Sequence, residues 1–228
     1  HKSKSSHIGS VFSSADIIAV IYSKYLRFDG NKFEDKFILS KGHACAGVYS
    51  ALHAIGLLAD KELNTYASNN SNLMAHISHK VRHVEFSTGS LGHGLPMALG
   101  MAISAEIKKL DYRTFAILSD GECNEGSIWE SAMLAGGRKI SNLTVLIDFN
   151  KWQATGRSRD VLALDPLTDK WKSFGWDVYE IDGHDFDQIK QALDSSKRTE
   201  KPSAIIANTI KGKGVSFMED NNLSLIHI

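Results

Sequence analysis

The segment 116–130, AILSDGECNEGSIWE, runs from an apolar stretch straight into two carboxylates, Asp120 and Glu122, separated only by Gly121, with Glu125 and Glu130 close behind. A second apolar stretch, NLTVLIDFN, ends at Asn150. A carboxylate oxygen and an amide oxygen at the tips of neighbouring strands are hard ligands. Magnesium takes one or two such protein groups and completes its octahedron with waters and substrate phosphate oxygens. Gly121 lets a phosphate approach the backbone closely, and a helix starting near Glu125 would present free N–H groups to its charge. Taken alone, Asp-Gly is also an ordinary turn signal, with Glu125 and Glu130 on a solvated helix face.

Other residues offer chemistry with less support. His76, His79 and His83 in HISHKVRH could face together on a helix and bind zinc. No Cys or carboxylate completes that set at a usual zinc spacing. His53 and His184 read as helix-packing and loop residues. Cys45 and Cys123 are too few for a disulfide framework and read as small buried fillers, Cys123 near enough to the Asp-Gly turn to be shielded by a ligand. Lys211 and Lys213 in KGKG suit either phosphate neutralisation or a solvated glycine-rich loop.

The elements that must position these groups follow from pattern. The 228 residues, 43% hydrophobic, suit one α/β domain with its own core. Lys plus Arg and Asp plus Glu are 26 each, so no net field draws in nucleic acid or an anionic membrane. No apolar run approaches the ~18 residues that span a bilayer, and the cysteine usage fits a reducing, cytoplasmic setting. Both ends read as cut: the chain starts at His1 without Met, shows no signal-peptide pattern, and stops at NNLSLIHI. Residues 1–222 are expected to form one module, with 223–228 a tail compatible with foreign read-through.

SADIIAVIYSKYL, from Ser14 to Leu26, spaces Ile17, Ile18, Ile21, Tyr22 and Tyr25 as one face of a helix. DKFILSKGH reads as a short strand ending at Ser40, ACAGVYSALHAIG as a small-residue helix closed by Gly56, and LGHGLPMALGMAISAEIKK as a second such helix with a buried start. From there strands TFAILSD, NLTVLIDFN, WDVYEIDG and SAIIANTI alternate with helices NEGSIWESAMLAGGRK, DPLTDKWKSFG (Pro166 in its first turn) and DFDQIKQALDSS. Such alternation predicts a parallel sheet flanked by helices on both faces. The continuous apolar strands agree, since both of their faces would be covered. Ligands bind beyond the carboxyl ends of such sheets, where Asp120 and Asn150 fall, and the intervening helix makes their strands expected neighbours.

With those residues set out, the chain resembles the diphosphate-binding half of transketolases. SDGECNEGSIWE through DFNKWQ is similar to the Gly-Asp-Gly to Asn signature of thiamine diphosphate enzymes. SHIGS, LSKGHACAGVYSAL, FSTGSLGHGL and TIKGKGVSFMED resemble transketolase segments in the same order, and the KGKGVSFMED form is most similar to split transketolases, in which this half is a separate subunit. The resemblance implies the thiamine diphosphate-binding fold, thiamine diphosphate with Mg2+ or another divalent ion such as Ca2+ or Mn2+, and transfer of a two-carbon ketol unit between sugars or sugar phosphates. By it, Asp120, Asn150 and the carbonyl of Trp152 match the metal ligands. Gly121 and Glu122 match positions along the diphosphate, His43 a phosphate contact, and Gly89, Ser90 and Leu91 a loop beside the aminopyrimidine. His7 and His76 match histidines lining the sugar channel and shuttling protons. Glu125 and Glu130 match acidic residues where two diphosphate modules meet and couple their sites.

The resemblance also implies a pyrimidine-module partner subunit carrying the Glu that activates the cofactor, in a dimer of heterodimers. The chain departs from the pattern in places. Ser119 replaces the first Gly of the triplet, His93 stands where many members carry Gln, MAHIS replaces Gly-His-Pro around His76, and LSLIHI replaces a Trp-His-His, so His227 is not a site residue. Rival readings are the α subunit of a 2-oxoacid dehydrogenase or decarboxylase, a deoxyxylulose phosphate synthase, and a non-catalytic magnesium and nucleotide-binding regulatory module. The histidines at 7, 43 and 76 favour sugar chemistry, and no Walker-type lysine loop is present.

Overall fold

The computed structural model describes residue 3 and residues 5–222; the expectations for 223–228, including His227, lie outside the described residues. Helix α1 spans Ile8–Val20 and runs on through a π-helical turn, Ile21–Tyr25. It begins ahead of the expected start at Ser14. Ser13 and Ser14 sit inside the helix instead of capping it, and their hydroxyls donate back to Ser10 O at 3.1 and 2.9 Å. The strand β1, Lys36–Leu39, leads through a short 3-10 turn, Gly42–Ala44, into α2, Cys45–Ala54. Gly56 follows in the left-handed conformation at φ 80°.

A short α3, Asp60–Leu63, precedes a long irregular stretch and then α4, Gly94–Lys108. The alternating half comprises β2 (Thr114–Ser119), α5 (Gly126–Gly137), β3 (Leu143–Phe149), α6 (Ser158–Leu162), α7 (Leu167–Ser173), β4 (Asp177–Asp182), α8 (Phe186–Ser196) and β5 (Ser203–Asn208). The turn of α6 was not legible in the sequence pattern. Pro166 sits at the N-cap of α7, one position earlier than expected, after a cis peptide bond from Asp165.

The five strands are all parallel in the order β1-β2-β3-β5-β4. Successive side chains along each strand enter opposite faces, which divides the core in two. Phe115, Ile117, Leu146 and Ile205 pack with α1, α2 and α8 through Ile17, Ile21, Tyr49 and Ile189. Ala116, Leu118, Val145, Ile147 and Ile206 pack with α4, α5 and α7 through Leu95, Ile128 and Trp171. The apolar residues of the central strands are therefore buried, save the partly buried Phe149 at the end of β3, as their unbroken apolar runs require. No helix among the described residues is long and apolar enough to cross a membrane.

The segment 76–83 forms turns, not a helix. His79 Nδ1 lies 2.7 Å from Ser87 Oγ, and His83, at φ 70°, packs against the rings of Phe28 and Phe33. Without the helical spacing the three side chains have no common face. Among the described residues no group of three or more His, Cys, Asp or Glu could hold a metal ion, so the zinc reading is corrected.

Candidate cofactor and metal site

The register of the two central strands sets the site. Ser119 of β2 lies opposite Asp148 of β3, which leaves Asp120 and Asn150 just beyond adjoining carboxyl ends. Asp120 is fully buried. Its Oδ1 accepts from Gly121 N at 2.9 Å and its Oδ2 from Ser158 Oγ at 2.7 Å. Burial pushes its pKa up to about 6; the Ser158 hydrogen bond opposes this and the charge of Asp148 adds to it. Asn150 is 4% exposed. Its Nδ2 donates to Asp148 Oδ2 at 3.2 Å and Ser13 Oγ at 3.4 Å, and its Oδ1 accepts from Trp152 N at 3.0 Å.

Beneath this pair Asp148 forms a fully buried ion pair with Lys41. Lys41 also donates to Ser10 O at 3.1 Å, and Asp148 accepts from Ser13 at 2.6 Å and from Thr209. The loop that follows Asn150 is closed from outside. Trp152 Nε1 donates to Asp220 Oδ1 at 3.0 Å, the Arg157 guanidinium lies 4.0 Å above the indole, and Arg157 pairs with Asp220. A cavity of about 490 Å³ opens beside Ser158, lined by Phe149, Lys151, Arg157 and Leu164.

Lys211 and Lys213 part company. Lys213 is exposed, whereas Lys211 is 4% exposed and donates to Asn222 Oδ1 at 3.1 Å. Burial pushes Lys211 down to about 8; Asp120 and Asp148 pull it up and Lys41 pushes it further down. This places one buried cation within reach of the field of the strand-tip carboxylates.

Glu122 is engaged across the ends of β1 and β2. Fully buried, it accepts from Ser40 Oγ and from Gly92 N at 2.8 Å through Oε1, and from Ser119 N at 3.4 Å through Oε2. Burial raises its pKa. Its carboxylate thus braces the loop that carries Gly89, Ser90 and Leu91, and only the backbone of Gly121 and Glu122 remains beside Asp120. The start of α5 faces the same loop: Ser127 donates to Gly92 O at 2.7 Å. Gly92 is left-handed at φ 86°, and a Cβ there would come within 2.6 Å of Ser127 Oγ. The N–H groups nearest Asp120 therefore belong to the 3-10 turn Gly121–Asn124, not to α5.

Three histidines from distant segments converge. His7 caps α1 in a left-handed conformation, with its ring centroid 5.2 Å from His43 and 5.6 Å from His76. His43 Nε2 lies 2.9 Å from Ser10 Oγ. Burial holds His43 well below the usual imidazole value, with Lys41 adding to it. Burial lowers His7 too, with His76 adding to it. In both rings burial favours the neutral imidazole over the charged form. Gly89 sits on the third ring, where a Cβ would come 3.1 Å from His76 Cδ2.

Glu125, just before α5, and Glu130 on it are exposed, and so are Met133 and Leu134 on the same helix. Cys45 and Cys123 are buried free thiols; burial pushes Cys45 up to about 11 and holds Cys123 well above the ordinary thiol value. The donors at the strand tips are oxygens from one carboxylate, one amide and the adjoining backbone, a set suited to a hard cation. Gln153 Nε2 is buried without a hydrogen-bond partner, and its side chain lies over Gly121, where a Cβ would meet Cγ at 3.0 Å. An unpaired donor above a glycine turn fits an oxyanion. Sequence reasoning passed over Ser13, Lys41, Asp148, Ser158 and Thr209. Asp148 alone left a local signal, a charge inside an otherwise apolar strand.

A family model described as transketolase, thiamine diphosphate binding domain, matches residues 1–224. The 6-deoxy-6-sulfo-D-fructose transketolase subunit SqwG of Clostridium sp. (strain MSTE9) is 39% identical over 219 residues, covering 93% of this chain and 80% of that protein. One subunit of the apulose-4-phosphate transketolase of Phocaeicola vulgatus is 38% identical, covering 96% and 80%. Among solved structures, transketolase from Leishmania mexicana superposes with a TM-score of 0.86 at 28% identity, covering 93% of this chain and 34% of that one. Transketolase from Campylobacter jejuni gives 0.84 at 25%, covering 95% and 39%. The chain thus spans well under half of those solved enzymes.

Proposed function

The chain belongs to the transketolase family through its thiamine diphosphate binding domain, and from that premise we propose that it works as the diphosphate-binding subunit of a split transketolase. In this reading it is a transferase moving a two-carbon ketol unit from a ketose or ketose phosphate to an aldose acceptor. Thiamine diphosphate and Mg2+, or another divalent ion, are its cofactors, and a separate pyrimidine-module subunit completes the site. The two relatives named as subunits, each matched over 80% of its length, support a separate partner. The buried free thiols support a reducing, cytoplasmic setting.

The observation that carries the proposal is the position of Asp120 and Asn150 at adjoining strand ends, with His7, His43 and His76 clustered at the same end of the sheet. Asp120, Asn150 and the carbonyl of Trp152 would hold the cation. Gly121 and the backbone of Glu122 would lie along the diphosphate, His43 would hydrogen-bond a phosphate oxygen, and Lys211 would offset its charge. Gly89, Ser90 and Leu91 would meet the aminopyrimidine from a loop that Glu122 holds in place. Thiamine diphosphate, when bound, supplies a nucleophilic carbon and an electron sink for the two-carbon unit. His7 and His76 would take and return protons at the sugar hydroxyls. Glu125 and Glu130, exposed on and before α5, would meet a second diphosphate module in a dimer of heterodimers.

The test is a ketol-transfer assay on the chain alone and with a pyrimidine-module subunit, in the presence of thiamine diphosphate and Mg2+. Turnover only in the mixture supports the proposal; robust turnover by the chain alone removes the partner from it. A 2-oxoacid offered as donor in the same mixture separates this reading from the dehydrogenase rival.

A further inference from the structure

Under the strand tips lies an ion pair that the proposed chemistry does not use. Lys41 and Asp148 have no exposed side-chain surface. The Asp148 carboxylate is fully engaged: Oδ2 accepts from Lys41, from Ser13 at 2.6 Å and from Asn150 Nδ2 at 3.2 Å, and Oδ1 accepts from Thr209. A buried ion pair is weak evidence for stability, because apolar residues of similar volume often replace it without loss. Its better-attested use is to select one arrangement over another. The arrangement available for selection here is the side chain of Asn150.

An amide has a donor end and an acceptor end of nearly the same shape, and only the oxygen can ligate a hard cation. With Asp148 Oδ2 and Ser13 Oγ on one side of Asn150, the nitrogen is held there and the oxygen faces the Trp152 loop. A flipped amide would set its oxygen against a carboxylate oxygen and leave two acceptors facing each other.

We propose that Asp148, secured by Lys41, Ser13 and Thr209, is a positioning residue that keeps the oxygen of Asn150 turned toward the cation. This rests on the reading of Asn150 as a metal ligand. Asp148 would act on the ligand set through Asn150, without touching metal, cofactor or sugar.

The probe is Mn2+, titrated into the full-length protein in the presence of thiamine diphosphate and the partner subunit, the free ion being counted by electron paramagnetic resonance. The Lys41→Met/Asp148→Leu double variant removes both buried charges together. Its Mn2+ dissociation constant is expected to rise about tenfold or more, the scale on which metal sites respond to loss of a ligand's partner. Adding Asn150→Asp to that double variant is expected to restore binding, since a carboxylate presents an oxygen whichever way it turns. The same Asn150→Asp change in the wild type is expected to weaken binding, because it faces Asp148. Rescue confined to the double variant is a readout that a purely structural role would not produce. A double variant that binds Mn2+ as the wild type does, or one that Asn150→Asp fails to rescue, overturns the inference while leaving the function standing. No Mn2+ binding by the wild type removes the function and the inference together. Should circular dichroism show the double variant unfolded, Lys41→Met/Asp148→Ser takes its place, a serine being too short to accept from Asn150.

Discussion

The carboxylate of Glu122 accepts the amide N–H of Gly92 at 2.8 Å, joining the turn after β2 to the loop that carries Gly89, Ser90 and Leu91. Ser40 donates to the same oxygen. One buried side chain thereby fixes the distance between the two segments that would hold opposite ends of a cofactor.

Replacing Glu122 by Ala leaves the Gly92 N–H and the Ser40 hydroxyl without an acceptor in a dry interior. Each orphaned donor costs ~1–3 kcal/mol, so the denaturation midpoint in urea is expected to fall. An unchanged midpoint would show that the loop does not depend on this brace.

Asp120 links stability and binding with opposite signs. Its folded pKa, about 6, lies above the usual carboxylate value. Stability from this group is therefore complete below the unfolded pKa of roughly 4 and is lost as pH rises through about 6. Asp120→Asn is expected to raise the melting temperature of the metal-free chain at pH 8. Asp120→Ala is expected to abolish Mg2+-dependent binding of thiamine diphosphate, and calorimetric binding equal to wild type would reject the metal assignment.

Lys211 gives a second pH dependence. Its folded pKa, about 8, lies below that of free lysine, roughly 10.4. Between those values the unfolded chain binds more protons, so stability rises with pH across that window. Anion binding runs the other way, because the charged ammonium is lost as pH passes about 8. Thiamine diphosphate affinity, measured from pH 7 to 9, is expected to decline, and Lys211→Met to be weaker throughout with a flatter profile. Parallel profiles would place Lys211 outside the phosphate site.

His7→Ala should separate proton transfer from cofactor binding. Loss of a positioned acid or base lowers turnover by roughly 10²–10⁴-fold. In the assembled enzyme, kcat is expected to drop on that scale with cofactor affinity unchanged. A loss of affinity without a loss of kcat would reassign His7 to binding.

What the sequence by itself determined were features written in local pattern. The β/α alternation, the continuous apolar strands and the small-residue helix closed by Gly56 each follow from periodicity and backbone preference, and they suffice to put Asp120 and Asn150 at strand ends. The order of the motifs likewise identified the family. Tertiary structure alone decided where side chains point and which distant groups meet. Glu122 reads like Asp120 in sequence, yet one carboxylate reaches Ser40 and Gly92 while the other accepts from Ser158. Asp148 and Lys41 lie 107 residues apart, and the cluster of His7, His43 and His76 is drawn from three loops around one sheet end. Ser14, a helix-starting residue by type, lies inside the helix, where its hydroxyl donates to Ser10 O. Local preference ranks what a backbone segment can do, whereas the pairing of buried polar groups depends on which partners the packed sheet brings within hydrogen-bonding distance.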